Sequence, residues 1–178
     1  MLEIAIKESE AWDEARQVFV YTKPCILTLE HSLISVSKWE SKWHKPYLSA
    51  KQLSREESVD YVRCMTIGRV LDDSVYNFLT VDDFKKINAY VTDPMSATYF
   101  KKSGGYGSNE KIVSELIYYW MIALGIPFEC EKWHLNRLLA LIQVCNRKSN
   151  PTKLSAKEAA ERNAAINKAR RAAAHSKG

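Results

Sequence analysis

Apolar and polar residues alternate at the start of the chain, where Leu2 and Ile4 sit among Glu3 and Ala5, and this predicts a short strand. Val18-Phe19-Val20-Tyr21-Thr22 is a second run of β-formers. The polar stretch KESEAWDEARQ between them reads as a turn, so the two strands are expected to form a small hairpin that Lys23-Pro24 ends. From Leu29 the period changes. Leu29, Leu33, Val36, Trp39 and Trp43 fall at steps of four, three, three and four, one face of a helix that stops before Pro46. Ser and Thr interleave between Ile26 and Val36, which leaves a strand as the alternative there.

Ser54-Arg55-Glu56-Glu57 has the form of a capping box and starts a helix through Val59, Val62 and Met65. Thr80-Val81-Asp82-Asp83 starts another, with two acids in its first turn and Pro94 beyond its end. Asn109–Leu124 carries Ile112, Val113, Leu116, Ile117, Trp120, Met121 and Leu124 on one broad face, and Gly125 closes it as a left-handed cap. Glu131–Asn146 presents Leu135, Leu138, Leu139, Ile142 and Cys145. The short link IPFEC between them predicts an antiparallel helical pair at the centre of the fold. The expected class is mainly α (α+β): a helical bundle with a small N-terminal β-hairpin and an extended basic C-terminal helix.

Charge divides the chain. Residues 147–178 hold nine Lys or Arg against two Glu, a net +7 within an overall +5, so the rest is close to neutral. Leu154 and Ile166 are the only large apolar residues of this Ala-rich tail, which is helical by propensity but has little to bury. Asn150-Pro151 marks a boundary, giving a globular body over 1–148 and a basic tail over 149–178. With 46% hydrophobic and 11% aromatic residues in 178, the chain as a whole is not intrinsically disordered. No apolar run approaches the roughly 18 residues of a bilayer span, and MLEIAIKESE lacks a secretory pattern, so a soluble intracellular protein is expected. Cys25, Cys64, Cys130 and Cys145 then read as reduced, mostly buried thiols.

Chemistry-bearing motifs are few. There is no phosphate loop of the Gly-x-x-x-x-Gly-Lys form, no Gly-x-Ser-x-Gly elbow and no His-Glu-x-x-His. In KSGGYGS (102–108) the lysine precedes the glycines and Glu110 opposes a phosphate, so a plain connection is expected. Cys130, His134, His31 and His44 lack the second close pair of a zinc site, and packing is the favoured account of them. In KWESKWHKPY (38–47), lysines and tryptophans raise nucleic-acid binding, but Trp39 and Trp43 share the apolar face and burial is favoured. No catalytic residue, metal or cofactor is assigned.

Three segments, ILTLEHSLISVSKWESKWHKPYLS, VDYVRCMTI and SELIYYWMIALGIPFECEKWHLNRLLALIQVC, resemble a family of small proteins encoded in the tail-morphogenesis region of long-tailed phages, the tail assembly chaperones. The resemblance covers roughly residues 26–146. It implies a non-catalytic protein of the host bacterial cytoplasm, absent from the mature virion. Such a protein binds the long, helical tape measure protein and keeps it competent for assembly, and it is often accompanied by a frameshift-extended form of itself. Partner contact is expected at Trp43, Tyr47, Tyr118 and Tyr119, because the Tyr118–Met121 run carries more aromatic surface than one helix buries internally. Two other classes remain open. One is a nucleic-acid accessory protein using Lys157, Arg162, Lys168, Arg170 and Arg171; the other is a head–tail connector component. A homo-oligomer is compatible with any of them.

Overall fold

Pro24 shapes the N-terminal β-structure. The computed structural model describes residues 1–13, 17–50, 52–68, 70, 72–98, 111–149 and 156–173, so KSGGYGS lies outside the described residues. Strands β1 (Leu2–Ile6), β2 (Ser9–Asp13), β3 (Val18–Thr22) and β4 (Cys25–Leu29) form two antiparallel ladders, β1 with β4 and β2 with β3. The first strand therefore does not pair with Val18–Thr22 as expected, because the polar stretch between them supplies a strand of its own. Partner numbers sum to 31 in both ladders, from Leu2 with Leu29 to Asp13 with Val18. The two ladders are thus one ribbon in a single register, interrupted where Lys7 and Glu8 come level with Pro24 and Lys23. A proline there has no N–H to give the ladder.

β4 is also held from its other side. Glu30 N–H donates to Met65 O (2.9 Å) and Ile67 N–H to Thr28 O (2.8 Å). This pairing commits Leu29 to extended backbone, so helix α1 spans Leu33–Trp43 and starts later than the apolar spacing predicts. The strand alternative holds as far as Leu29. Ser32 caps α1, its hydroxyl accepting from Ser35 N–H while Ser35 Oγ accepts from Ser32 N–H. Capping boxes likewise open α2 (Arg55–Met65), through Ser54 and Glu57, and α3 (Val81–Thr92), through Thr80 and Asp83.

Helix α4 (Ser114–Ala123) and helix α5 (Leu135–Ser149) are both shorter at their starts than expected. Val113 is extended ahead of α4, and a 3-10 turn at Phe128–Lys132 followed by extended Trp133 precedes α5. Gly125 adopts the left-handed conformation predicted for it (φ 64°). The expected antiparallel pair is replaced by another arrangement: α4 lies along α1, and α5 is pinned at its first turn, where Leu135 N–H donates to His31 O (2.7 Å).

Trp39 occupies the centre, fully buried with its indole N–H donating to Glu57 O (2.9 Å). Around it the core collects Ile4, Leu27, Leu29, Leu33, Val36, Met65, Ile117, Met121, Leu135 and Leu138. Burial of side chains this size, each contributing about 1.5–3 kcal/mol, is what holds the helices on the ribbon.

Several helix ends are completed from elsewhere in the chain. Val113 gives α4 no side-chain cap; instead Glu40 of α1, itself buried, accepts the Ser114 N–H at Oε2 (2.7 Å). Its Oε1 accepts the Tyr47 N–H at the start of a 3-10 turn, Tyr47–Ser49 (2.8 Å). At the far end of α3, Asn136 Nδ2 donates to Val91 O (3.0 Å) and Asp93 O (2.6 Å). Unpaired helix-terminal groups are thereby satisfied inside the fold.

Residues 1–143 form one unit and 144–178 a second. The second contains α6 (Ala156–Ala173), the basic C-terminal helix expected from composition.

Candidate functional site

Buried His31 and His134 are the centre of a polar and aromatic cluster where α1 begins and α3 ends. His31, just ahead of the Ser32 cap, shares a hydrogen bond between its Nδ1 and the Tyr61 hydroxyl of α2. Tyr61 stacks on Tyr47 with ring centroids 3.9 Å apart. His134 meets His31 edge to face (5.1 Å) and Tyr90 likewise (4.9 Å). His134 Nε2 donates to Tyr90 O (3.0 Å) while its Nδ1 accepts the Asn136 N–H (3.3 Å). A carbonyl requires a donor and an N–H requires a lone pair, so these partners fix the neutral Nε2–H form. The Tyr90 hydroxyl donates to Glu30 (2.7 Å), whose other oxygen pairs with the N-terminal amine (3.2 Å).

The electrostatics of this cluster work against proton transfer. Burial, helped by His134, lowers His31 to about 3. Burial also raises Tyr61 and Tyr47 well above the usual phenol range, and Tyr90 too. A general acid or base works best with its pKa near the operating pH. Here the His31 imidazole and the three phenols are shifted away from neutral pH in the directions that keep them uncharged. The cluster is a junction that ties together the segments holding His31, Tyr47, Tyr61, Tyr90 and His134. The Cys64 thiol is similarly pushed up to about 11 by burial and by Asp60, which keeps it protonated.

Both nitrogens of His134 are engaged by protein groups, and among the described residues no group of three or more His, Cys, Asp or Glu is placed to hold a metal ion.

The aromatic and basic segment 38–47 is absorbed into the α1–α2 contact. Trp43 stacks on Trp39 (6.1 Å) and its indole donates to buried Asp60 (2.8 Å). Lys42 pairs with Asp60, and Lys45 pairs with Glu57 and holds that carboxyl below its usual range. The lysines of this stretch that point toward α2 thus serve carboxylates.

The four expected contact residues therefore separate. Trp43 and Tyr47 are half-buried and engaged as above. Tyr118 is half-buried, its hydroxyl donating to Glu131 (2.8 Å). Tyr119 is open. It shares an outer face of α4 with Ile122, one turn on, and both are more than half exposed. Phe128, also more than half exposed, lies against Tyr118 with centroids 6.3 Å apart. Sequence reasoning missed Ile122 and Phe128. Ile122 was legible as the i+3 neighbour of Tyr119, but Phe128 was hidden in a link with no period of its own. Glu131 accepts the Tyr118 hydroxyl at this patch, Glu129 follows Phe128 in the chain, and exposed Glu115 lies one turn before Tyr118 and Tyr119 on α4.

In α6, Lys168, Arg170 and Arg171 are exposed; Lys157 and Arg162 belong to the same helix. None of the family models, curated proteins or solved structures compared with the chain matches it. Among the described residues no helix is long and apolar enough to cross a membrane.

Proposed function

We propose that the chain is a non-catalytic polypeptide-binding protein that acts as a tail assembly chaperone, holding a tape measure protein soluble while a phage tail assembles. One observation carries the binding reading: Tyr119, Ile122 and Phe128 stand open near half-buried Tyr118, with Glu131 bonded to Tyr118 and Glu115 and Glu129 close by in the chain. A patch of this kind suits a helix with an apolar stripe and basic flanks. The resemblance of residues 26–146 supplies the identity of that client. Co-expression with the neighbouring longest tail gene tests it. The client is retained in a pull-down by the native chain and lost with Tyr119→Lys/Ile122→Lys; equal retention by both, or none by the native chain, refutes the reading.

The exposed Lys168, Arg170 and Arg171 of α6 favour a second reading, salt-sensitive binding of nucleic acid. Deleting 150–178 removes that binding and leaves client retention unchanged.

A further inference from the structure

The β2–β3 end of the ribbon is built unlike a protected sheet edge. Among the described residues neither strand pairs with anything but the other, and a two-stranded sheet is marginal alone. Edge strands usually carry charge or proline that blocks further pairing. β2 has Glu10 and Asp13, whereas β3, Val-Phe-Val-Tyr-Thr, has neither. At the ribbon's single register, Ile4, Ile6, Leu27 and Leu29, which are buried, fall on one face with Trp12, Phe19 and Tyr21. Those three are 51%, 55% and 66% exposed, and Trp12 and Phe19 meet edge to face at 4.9 Å. The core-facing side of the ribbon thus runs on as an open aromatic stripe.

We infer that β3 is a self-pairing edge, through which two copies of this chain join by two-fold antiparallel pairing centred on Val20 into one four-stranded sheet. The strand's own order selects this partner. About Val20 the sequence is nearly a palindrome: Phe19 falls opposite Tyr21 of the second copy, and Val18 opposite its Thr22. Aromatic pairs and β-branched pairs are the favoured cross-strand neighbours. The two aromatic stripes become continuous, with a Trp12 at each end. No charge is brought across the axis within the two strands. At the base of β3, where Thr22 is buried and the 3-10 turn Asp73–Phe78 packs beside the strand, a groove of about 600 Å³ lies between Tyr21, Lys23, Ile26, Val70 and Val75. Three half-exposed aromatic side chains offer about 300 Å² per copy, which places the pair in the weak, concentration-dependent class.

This interface does not rest on the client-binding reading, and a client pull-down does not report on it. Light scattering on the full chain, over roughly 2–200 µM to span that class, tests it. The mass is expected to rise toward twice the 20.4 kDa of one chain. Phe19→Lys/Tyr21→Lys sets like charges across the axis and stays at one chain mass throughout. Phe19→Lys/Tyr21→Glu sets opposite charges at the same positions and regains the doubled mass. All substituted positions are exposed, so circular dichroism and the unfolding midpoint stay close to those of the native chain at the lowest concentration, where each is a single chain. A native chain that keeps one chain mass over the whole range overturns the proposal. So does a Lys/Lys variant that still doubles, or a Lys/Glu variant that does not.

Discussion

His31 and His134 face each other edge to face at 5.1 Å, and burial, with the neighbouring ring as the lesser cause, keeps His31 uncharged at ordinary pH. Unfolded, a histidine takes up its proton near 6.5; folded, His31 does so only at about 3. The unfolded chain therefore binds the extra proton in between. The contribution to stability is complete above 6.5 and is lost as pH falls toward 3, at about 1.4 kcal/mol per pH unit. Urea midpoints for the native chain and His31→Phe will differ most near pH 8, where the variant lacks the bond to Tyr61, and converge in acid. Parallel curves would remove His31 from the account.

Glu40 offers a second test because one carboxylate serves two separate helix starts. Glu40→Gln keeps an acceptor for only one of the Ser114 and Tyr47 amides and turns an N–H toward the other. The expected loss is about 2–4 kcal/mol, comparable to breaking a buried charge-assisted bond. A loss below about 0.5 kcal/mol, the level of an ordinary surface change, would mean that α4 does not need this cap.

The local caps should behave more mildly. Ser54→Ala and Thr80→Ala each remove a hydroxyl that accepts a helix-start amide, and each is expected to lower stability by about 1 kcal/mol. They lie on different helices, so the double variant should show the sum in urea denaturation.

Burial separates Trp39 from the open face of α4. Trp39→Ala leaves a cavity at the centre and is expected to cost about 3–5 kcal/mol. Tyr119→Lys with Ile122→Lys, on the open face of α4, should stay within about 0.5 kcal/mol per site in the same assay. A large loss for the second variant would show that this face is packed in solution and is no docking surface.

What was legible in the sequence were the features whose cause is local. Ser54, Thr80 and Gly125 act within a few residues of themselves, so their roles could be read from spacing. The start of α1 could not be, since Leu29 fits a helical stripe and is held in β4 by a segment beyond α2. Glu40, His134 and Asn136 complete helix ends far away in the chain, and no local pattern marks such a residue. For the same reason Trp43 and Tyr47 looked available for a partner. Asp60, Tyr61 and Glu40, which engage them, come from other turns of the fold. Tyr119 was legible because its position off the main stripe of α4 is itself a matter of local periodicity.

The ribbon keeps one register across the gap at Pro24, and this limits how its two arms can change in length. A single residue added to one arm alone would slide every pair beyond it and turn Trp12 or Phe19 to the opposite side of the sheet. Related chains should therefore gain or lose residues in both arms together, or between Asp13 and Val18, where an insertion leaves the ladder intact.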